Sequence, residues 1–207
     1  MEDADRLFAQ GRANPLKFGW PIRSSAGEPP DPERIAAVAR LLDRPISFVD
    51  ADGYERELIG AAVGPDGRIA FVESRAKDVG FNRYGANQRQ IDISIRVHLV
   101  DPTAGHWSAD IKSYNPFFGC DVRFFEWVGR TAVLIYREKH WTFACRLGDV
   151  WPPQFVKIED DWVINNDTLG YIGYKGEAVR RLRFPELEPL QPMSVAEAKQ
   201  VGLYPGG

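Results

Sequence analysis

The stretch VRFFEWVGRTAVLIYREKHWTFACR, residues 122–146, predicts three consecutive strands of an antiparallel meander. Gly129 and Arg130 form a two-residue turn with glycine in the first central position, where a type II′ hairpin requires a positive φ. This turn pairs Val128 with Thr131 and sets the register of the first two strands. The stretch therefore indicates a mainly β protein organised around a meander.

The second turn of the meander is predicted at Glu138-Lys139, although this dipeptide is poor type I′ chemistry. A three-residue loop would turn the third strand over. We keep the two-residue turn, which places Tyr136 opposite Trp141, because it gives one consistent apolar face. That face carries alternate residues of all three strands, namely Phe125, Trp127, Ala132, Leu134, Tyr136, Trp141, Phe143 and Cys145.

The opposite face of the meander has an apolar centre, formed by Phe124, Val133 and Ile135, and a polar rim. Such a centre needs a covering layer, which could be a second sheet, an N-terminal helix or a ligand. Cover by the chain itself is the simplest interpretation, because domains bury their sheets by packing layers together.

The 207 residues fit one large domain or two small ones, and a single β-rich domain of this length is ordinary. We predict an irregular N-terminal arm over residues 1–30, a single β-rich domain over 31–184 and a Pro-rich C-terminal strap over 185–207. The expected architecture is a mainly β antiparallel sandwich or partly open barrel of about ten or more strands. One amphipathic helix near the N-terminus and a short C-terminal helix complete it.

Charge and cysteine content narrow the class of protein. The net charge of −3 gives no support for a general nucleic-acid binder, which would need a basic face, so no nucleic-acid partner is expected. The N-terminus has no signal-peptide pattern and no stretch reaches about 18 apolar residues, so no membrane partner is expected. Cys120 and Cys145 are predicted to lie apart as free thiols, which favours a reducing, cytoplasmic location.

Two helices are marked by their caps. Asp31 precedes Pro32 and Glu33, a pattern typical of a helix start, and the helix is expected to end near Asp43. Its apolar stripe predicts packing on the sheet. At the other end of the chain, Ser194 with Glu197 forms a capping-box pattern for a short helix that ends at Gly202.

Hairpins account for most of the remaining chain. Residues 46–49, 54–63 and 68–74 are predicted strands, and DADGYE at 50–55 reads as a turn rather than a calcium loop. Residues 91–100 form the cleanest strand. Its predicted hairpin partner pairs Val97 with Ile111 and therefore His98 with Asp110; a slip by two residues would keep the faces and break that pair.

Two loops carry the candidate binding residues. Residues 75–90 are predicted to form a polar connection, and residues 113–121 a loop at the end of the sheet. Polar and aromatic side chains on loops often serve recognition. The predicted binding residues are Arg83, Tyr84, Asn87, Tyr114, Asn115, Phe117 and Phe118.

Catalytic signatures do not stand out. The three histidines have no metal-ligand spacing, and the sequence has neither a G-x-S-x-G nucleophile motif nor a phosphate-binding glycine loop. We predict no catalytic residue, no metal ligand and no cofactor, and the sequence leans away from an enzyme. The leading hypothesis is a non-enzymatic protein-interaction or accessory module that binds a protein partner or itself.

The alternative is a small-molecule-binding β-barrel, possibly an enzyme, whose aromatic side chains line a cavity. The packing of Trp127, Tyr136, Trp141 and Phe143 separates the two hypotheses. Side chains that are close-packed against another layer favour the interaction module, whereas an aromatic-lined void favours the barrel.

Overall fold

A computed structural model describes residues 22–23, 31–81, 89–111, 120–138, 141–148, 152–173, 176 and 178–205. In chain order its elements are β1 (Ile22–Arg23), α1 (Pro32–Leu41), β2 (Ser47–Val49), β3 (Glu55–Val63), β4 (Ile69–Phe81), β5 (Arg89–Asp101), β6 (Gly105–Ile111), β7 (Cys120–Val128), β8 (Thr131–Glu138), β9 (Trp141–Leu147), β10 (Gln154–Ile158), β11 (Trp162–Asn165), β12 (Thr168–Ile172), β13 (Val179–Arg183), β14 (Glu188–Met193) and α2 (Val195–Gln200).

The described strands form three antiparallel sheets. The first sheet has the order β2-β3-β4-β5-β6, the middle sheet β10-β9-β8-β7, and the last sheet β1-β11-β12-β13-β14. The predicted β-sandwich architecture is confirmed, with three sheets stacked instead of two, and the described strands do not close into a barrel. The two predicted helices are also present.

The middle sheet is buried on both faces. One face packs against the first sheet, where Leu134 and Tyr136 of β8 meet Val72 and Val97. The other face packs against the last sheet through Ile135 and its neighbours. The apolar centre predicted on the second face of the meander is therefore covered by the chain itself. The buried cluster between the middle and last sheets contains residues of both sheets, including Phe124, Val133, Ile135, Ala144, Trp162, Leu169, Leu182 and Phe184.

The helices cover the outer faces of the outer sheets. α1 lays Val38 and its neighbours on the outer face of the first sheet, in the layer that holds Phe71. Asp31 caps α1 by accepting a hydrogen bond from the backbone N–H of Glu33, as predicted. α2 packs Ala198 onto the last sheet. Its predicted capping box is present in both directions.

The first hairpin of the meander has the predicted register, with Val128 opposite Thr131 and Gly129 at a φ of 59°. The second turn was placed wrongly. Glu138 pairs with Trp141, so Tyr136 lies opposite Phe143. Because the shift is two residues, every side chain keeps its predicted face, but Trp141 now stands beside the turn and is 42% exposed.

Two predicted loops are partly strands. β4 continues to Phe81 and β5 begins at Arg89, so most of the polar stretch 75–90 pairs as a hairpin. β7 likewise begins at Cys120, inside the loop predicted over 113–121. Polar composition misled the prediction here, since cross-strand hydrogen bonds form irrespective of side-chain polarity.

Candidate functional site

The outer face of the first sheet divides into an apolar and a charged half. α1 covers the apolar half, where Phe71 is 2% exposed. Two residues further along β4, on the same face, stands Glu73, followed by Arg75. We define the charged half as the polar face, formed by Arg44, Asp50, Arg56, Glu73, Arg75, Arg96, His98, His106 and Asp110.

Glu73 is the centre of the polar face. The residue is 1% exposed, yet it is ionised and engaged at both oxygens. Arg44 donates from Nη2 to Oε2 at 2.5 Å, and Arg56 donates from Nη1 to Oε1 at 2.9 Å. Arg44 in turn lies over the ring of Phe71, with its guanidinium carbon 5.6 Å from the ring centroid. The carboxylate thus joins the helix-end segment, β3 and β4.

The electrostatics of Glu73 are those of an ion-pair acceptor. Burial acts to raise its pKa, but the hydrogen bond and charge of Arg44, together with the charge of Arg56, outweigh burial and lower the pKa below its ordinary value. A carboxyl group held in this way stays ionised, so it orders the arginines around it and is not a proton donor near neutral pH.

Asp50 extends the network to the edge of the sheet. Its Oδ1 accepts from the backbone N–H groups of Asp52 and Tyr54 at 3.0 Å each, and Arg56 donates to its Oδ2 at 2.6 Å. The hydrogen bond from Tyr54, followed by Arg56, lowers the pKa of Asp50 against the effect of burial. Arg75 lies with its guanidinium carbon 3.7 Å from the Tyr54 ring centroid. The carboxylate therefore closes the turn and binds arginine.

The predicted pair of His98 with Asp110 is wrong. β5 and β6 are shifted by two residues from the expected register, so His98 lies opposite Ser108 and Asp110 opposite Arg96. Arg96 Nε donates to Asp110 Oδ1 at 2.8 Å. The cause is the turn, which closes already between Asp101 and Gly105. The carboxylate of Asp101 fixes this short turn by accepting from Thr103 N, Thr103 Oγ1 and Ala104 N.

His98 instead contacts a second histidine. Its Nδ1 is 3.0 Å from Nε2 of His106, and its ring stacks on Phe71 with centroids 4.3 Å apart. Burial is the main cause that lowers the pKa of His98 from 6.5 to about 3, and it outweighs the attraction of Glu73. His98 is therefore neutral near pH 7. Its buried Nε2 has no hydrogen-bond partner among the described residues.

Beyond the polar face, β4 and β5 extend past their described neighbours as a two-stranded ribbon. The last described pair of β3 with β4 is Glu55 with Ala76, and the last described pair of β6 with β5 is Ile111 with Ile95. β4 and β5 continue for four more described pairs, from Lys77–Asp92 to Phe81–Arg89. We call this ribbon, 77–81 with 89–92, the arm. At about 3.3 Å per residue it is roughly 13 Å long.

The predicted binding residues fall outside the described part of the chain. Arg83, Tyr84 and Asn87 belong to 82–88, the segment that connects the two strands of the arm in sequence. The other four belong to 112–119, which connects β6 to β7; they are Tyr114, Asn115, Phe117 and Phe118.

The two cysteines are separated as predicted, since the backbone of Cys120 lies opposite Glu138 and Cys145 opposite Leu134. Cys145 is a free thiol with no exposed surface. Burial raises its pKa, so it is a packing residue of the core and not a nucleophile.

The polar face was missed by the sequence analysis because its members come from distant segments. Arg44 and Glu73 are 29 positions apart, and their contact depends on how α1 ends over the sheet. The usable signal was the alternation in β4, which places Phe71, Glu73 and Arg75 on one side of the strand. A charged residue that alternation places on the same strand face as a core residue indicates a buried ion pair.

The described ranges contain neither a metal-binding cluster nor a membrane-spanning helix. No three His, Cys, Asp or Glu side chains there come close enough together to hold a metal ion. No described helix has the length and apolar character needed to cross a membrane. Compared with protein-family models, with curated proteins and with solved structures, the chain matches none.

Proposed function

We propose that this protein is a non-enzymatic protein-interaction or accessory module and that the arm is its contact element. The observation that carries the proposal is the projection of β4 and β5 past every described neighbour in their sheet. A two-stranded ribbon is at best marginally stable by itself in water. An arm of this kind gains order when another protein packs against it.

The sequence that connects the two strands of the arm supports the same conclusion. Arg83 and Tyr84 belong to this connecting sequence, and these residue types dominate the binding energy of many protein interfaces. The polar face leads directly into the arm through Arg75 and Lys77. Lys77 already bonds the backbone carbonyl of Asp52 at 2.6 Å, which ties the base of the arm to the turn before β3.

The core favours an interaction module over a ligand-binding barrel. The barrel hypothesis needs a void among the aromatic side chains of the meander. Trp127, Tyr136 and Phe143 are at most 7% exposed and belong to the core between the first and middle sheets. Trp127 also donates from Nε1 to the carbonyl of Ala62 at 3.1 Å, a bond between the two sheets. These side chains act as packing residues.

The test is affinity capture of binding partners from an extract of the protein's own source, with the whole chain as bait. We compare wild type with an Arg83→Ser/Tyr84→Ser variant and quantify the retained proteins by mass spectrometry. Loss of two interface residues of these types is expected to reduce a specific partner by about tenfold or more. Arg183→Ser, on the exposed side of β13, is the matched control and should retain the partner.

Two results contradict the proposal: unchanged capture by the arm variant, or a wild-type chain that retains no specific partner that the arm variant loses. Circular dichroism of both variants checks that the fold is intact.

A further inference from the structure

The sheet edges of the described strands differ in how well they are protected against pairing with another chain. Exposed edges are usually blunted by shortness, proline, lysine or a bulge. β1 has two residues and β2 has three. β14 carries Pro189 and Pro192, and β7 has a bulge between Val122 and Phe124. β10 has five residues, including Lys157.

β6 has none of these devices. It is seven residues long, contains neither proline nor lysine, and pairs with β5 without a register shift. Two of its inward side chains, Trp107 and Ala109, are only partly buried against the core between the first and middle sheets, whereas Ile111 is buried in that core. No described strand pairs with the outer edge of β6, so within the described part of the chain this edge presents a regular backbone and a half-covered apolar rim, which one further strand would complete.

The sequence of β6 is complementary to itself. In an antiparallel pairing about a two-fold axis through Ser108, Ser108 lies opposite Ser108 of the second copy. The numbers of any two opposite residues therefore add up to 216. Trp107 then faces Ala109 of the second copy, a large residue against a small one. His106 faces Asp110 of the second copy. Because the sum is even, inward residues meet inward residues and outward residues meet outward ones.

The polar contacts of the outer face are compatible with this pairing. His106 uses Nε2 toward His98, which leaves Nδ1 for a carboxylate. Arg96 engages Oδ1 of Asp110, whose side chain is 60% exposed, so Oδ2 is accessible. Residues directly opposite in an antiparallel pair have Cβ atoms about 5 Å apart, within reach of a histidine–aspartate contact.

We propose that two copies of this chain associate through β6, so that their two five-stranded first sheets join into one continuous sheet of ten strands. The hydrogen-bonding complementarity of His106 with Asp110 and the size complementarity of Trp107 with Ala109 select a second copy over an unrelated strand. This dimer uses a surface separate from the arm, and it does not depend on the function proposed for the arm.

The experiment exploits the two-fold axis. Ser108 is exposed and lies opposite itself in the dimer, so Ser108→Lys and Ser108→Glu each place like charges face to face. Like charges across an interface are strongly unfavourable, and each variant is expected to dimerise at least about tenfold more weakly than wild type. An equimolar mixture of the two variants is expected to recover the dimer, because lysine then faces glutamate.

Mass is measured by light scattering after size exclusion and by sedimentation. Ser47→Lys and Ser47→Glu, on the exposed edge strand at the other side of the same sheet, are matched controls and should remain dimeric. A wild-type chain that is monomeric at micromolar concentration overturns the inference. So does a dimer that persists in both Ser108 variants, or a mixture that stays monomeric. None of these outcomes bears on partner capture by the arm.

Discussion

Glu73 shows what a single charged residue does inside this sheet. It is almost fully buried, and both of its oxygens are bound by arginine. A protein with a buried ion pair is often no more stable than one in which apolar residues replace both partners. Removing one partner alone is different, because it leaves the other charge buried and uncompensated. The stabilising role of Glu73 therefore appears only when the carboxylate is removed by itself.

Glu73→Gln is expected to lower the free energy of unfolding by about 2 kcal/mol, less than for a fully buried pair because Arg44 and Arg56 retain some contact with water. Urea denaturation at pH 7 measures the change. Glu57→Gln, an exposed position on β3, is the control and should change stability by less than about 0.5 kcal/mol. Equal effects at the two positions would show that Glu73 does not organise the polar face.

His98 makes stability depend on pH. Its folded pKa, about 3, lies below the ordinary 6.5, so between these values the unfolded chain binds a proton that the folded chain does not. Stability from this residue is fully present above pH 6.5 and falls as the pH drops toward 3. The expected loss between pH 7 and pH 5 is about 2 kcal/mol.

His98→Phe keeps an aromatic ring on Phe71 and removes the titrating group. Urea midpoints for both proteins at pH 7 and pH 5 provide the measurement. Between pH 7 and pH 5 the variant should lose less unfolding free energy than wild type, and the difference should be most of the expected loss of about 2 kcal/mol. An unchanged difference between the two pH values would assign the titration to another group.

Which face a side chain occupies was predictable from sequence, and which residue it meets often was not. Alternation placed Leu134, Tyr136 and Phe143 correctly, because a strand has a period of two. The pairs of His98 and Tyr136 were wrong, since both depend on where a turn closes. The carboxylate of Asp101 closes one of these turns, and its role rests on side-chain hydrogen bonds that composition does not reveal.

At the scale of elements, Gly64 sets how closely the end of β3 approaches the middle sheet. A Cβ atom at this position would lie 2.5 Å from Cδ2 and Cε2 of the buried Trp127 ring. The ring is also fixed by its hydrogen bond to Ala62. The contact between the first and middle sheets therefore requires a residue without a side chain at position 64.

Gly64→Ala is expected to destabilise the protein by about 2–3 kcal/mol, the typical cost of forcing extra volume into a packed core. Gly60→Ala, within β3 itself, is a matched control, because its Cβ would meet Val122 at 3.4 Å, an ordinary contact. Thermal and urea unfolding of the two variants compare them directly. If both alanines cost the same, the close approach of Trp127 is not the reason for glycine at position 64.

Elements with local signals were the ones that sequence located well. The caps at Asp31 and Ser194 act within three residues, so both helices were found with their ends. β4 was cut short because its second half is polar and its pairing with β5 is long-range in sequence. The arm, which carries the proposed function, was hidden for the same reason.

At the scale of the whole molecule, the middle sheet is the most protected layer. Ala132, Val133, Leu134 and Ile135 of β8 have no exposed surface, because one sheet covers each face. Their amides exchange with solvent only when the layers separate. β2, a three-residue edge strand, can open without disturbing either core.

Native-state hydrogen exchange is expected to show the slowest amides in β8, with protection approaching the global free energy of unfolding, and the fastest strand amides in β2. Mass spectrometry on peptides covering 131–138 and 46–50 provides the comparison. Exchange in β8 as fast as in β2 would mean that the sheets separate independently of global unfolding.

The order of the layers has a consequence for biosynthesis. α1, the first sheet, the middle sheet, the last sheet and α2 succeed one another along the chain in the order in which they are stacked, apart from the two residues of β1. A ribosome therefore delivers each layer after the one on which it docks. The outward face of the middle sheet is not fully covered until translation has passed Leu187, and during that interval the nascent chain needs protection from aggregation.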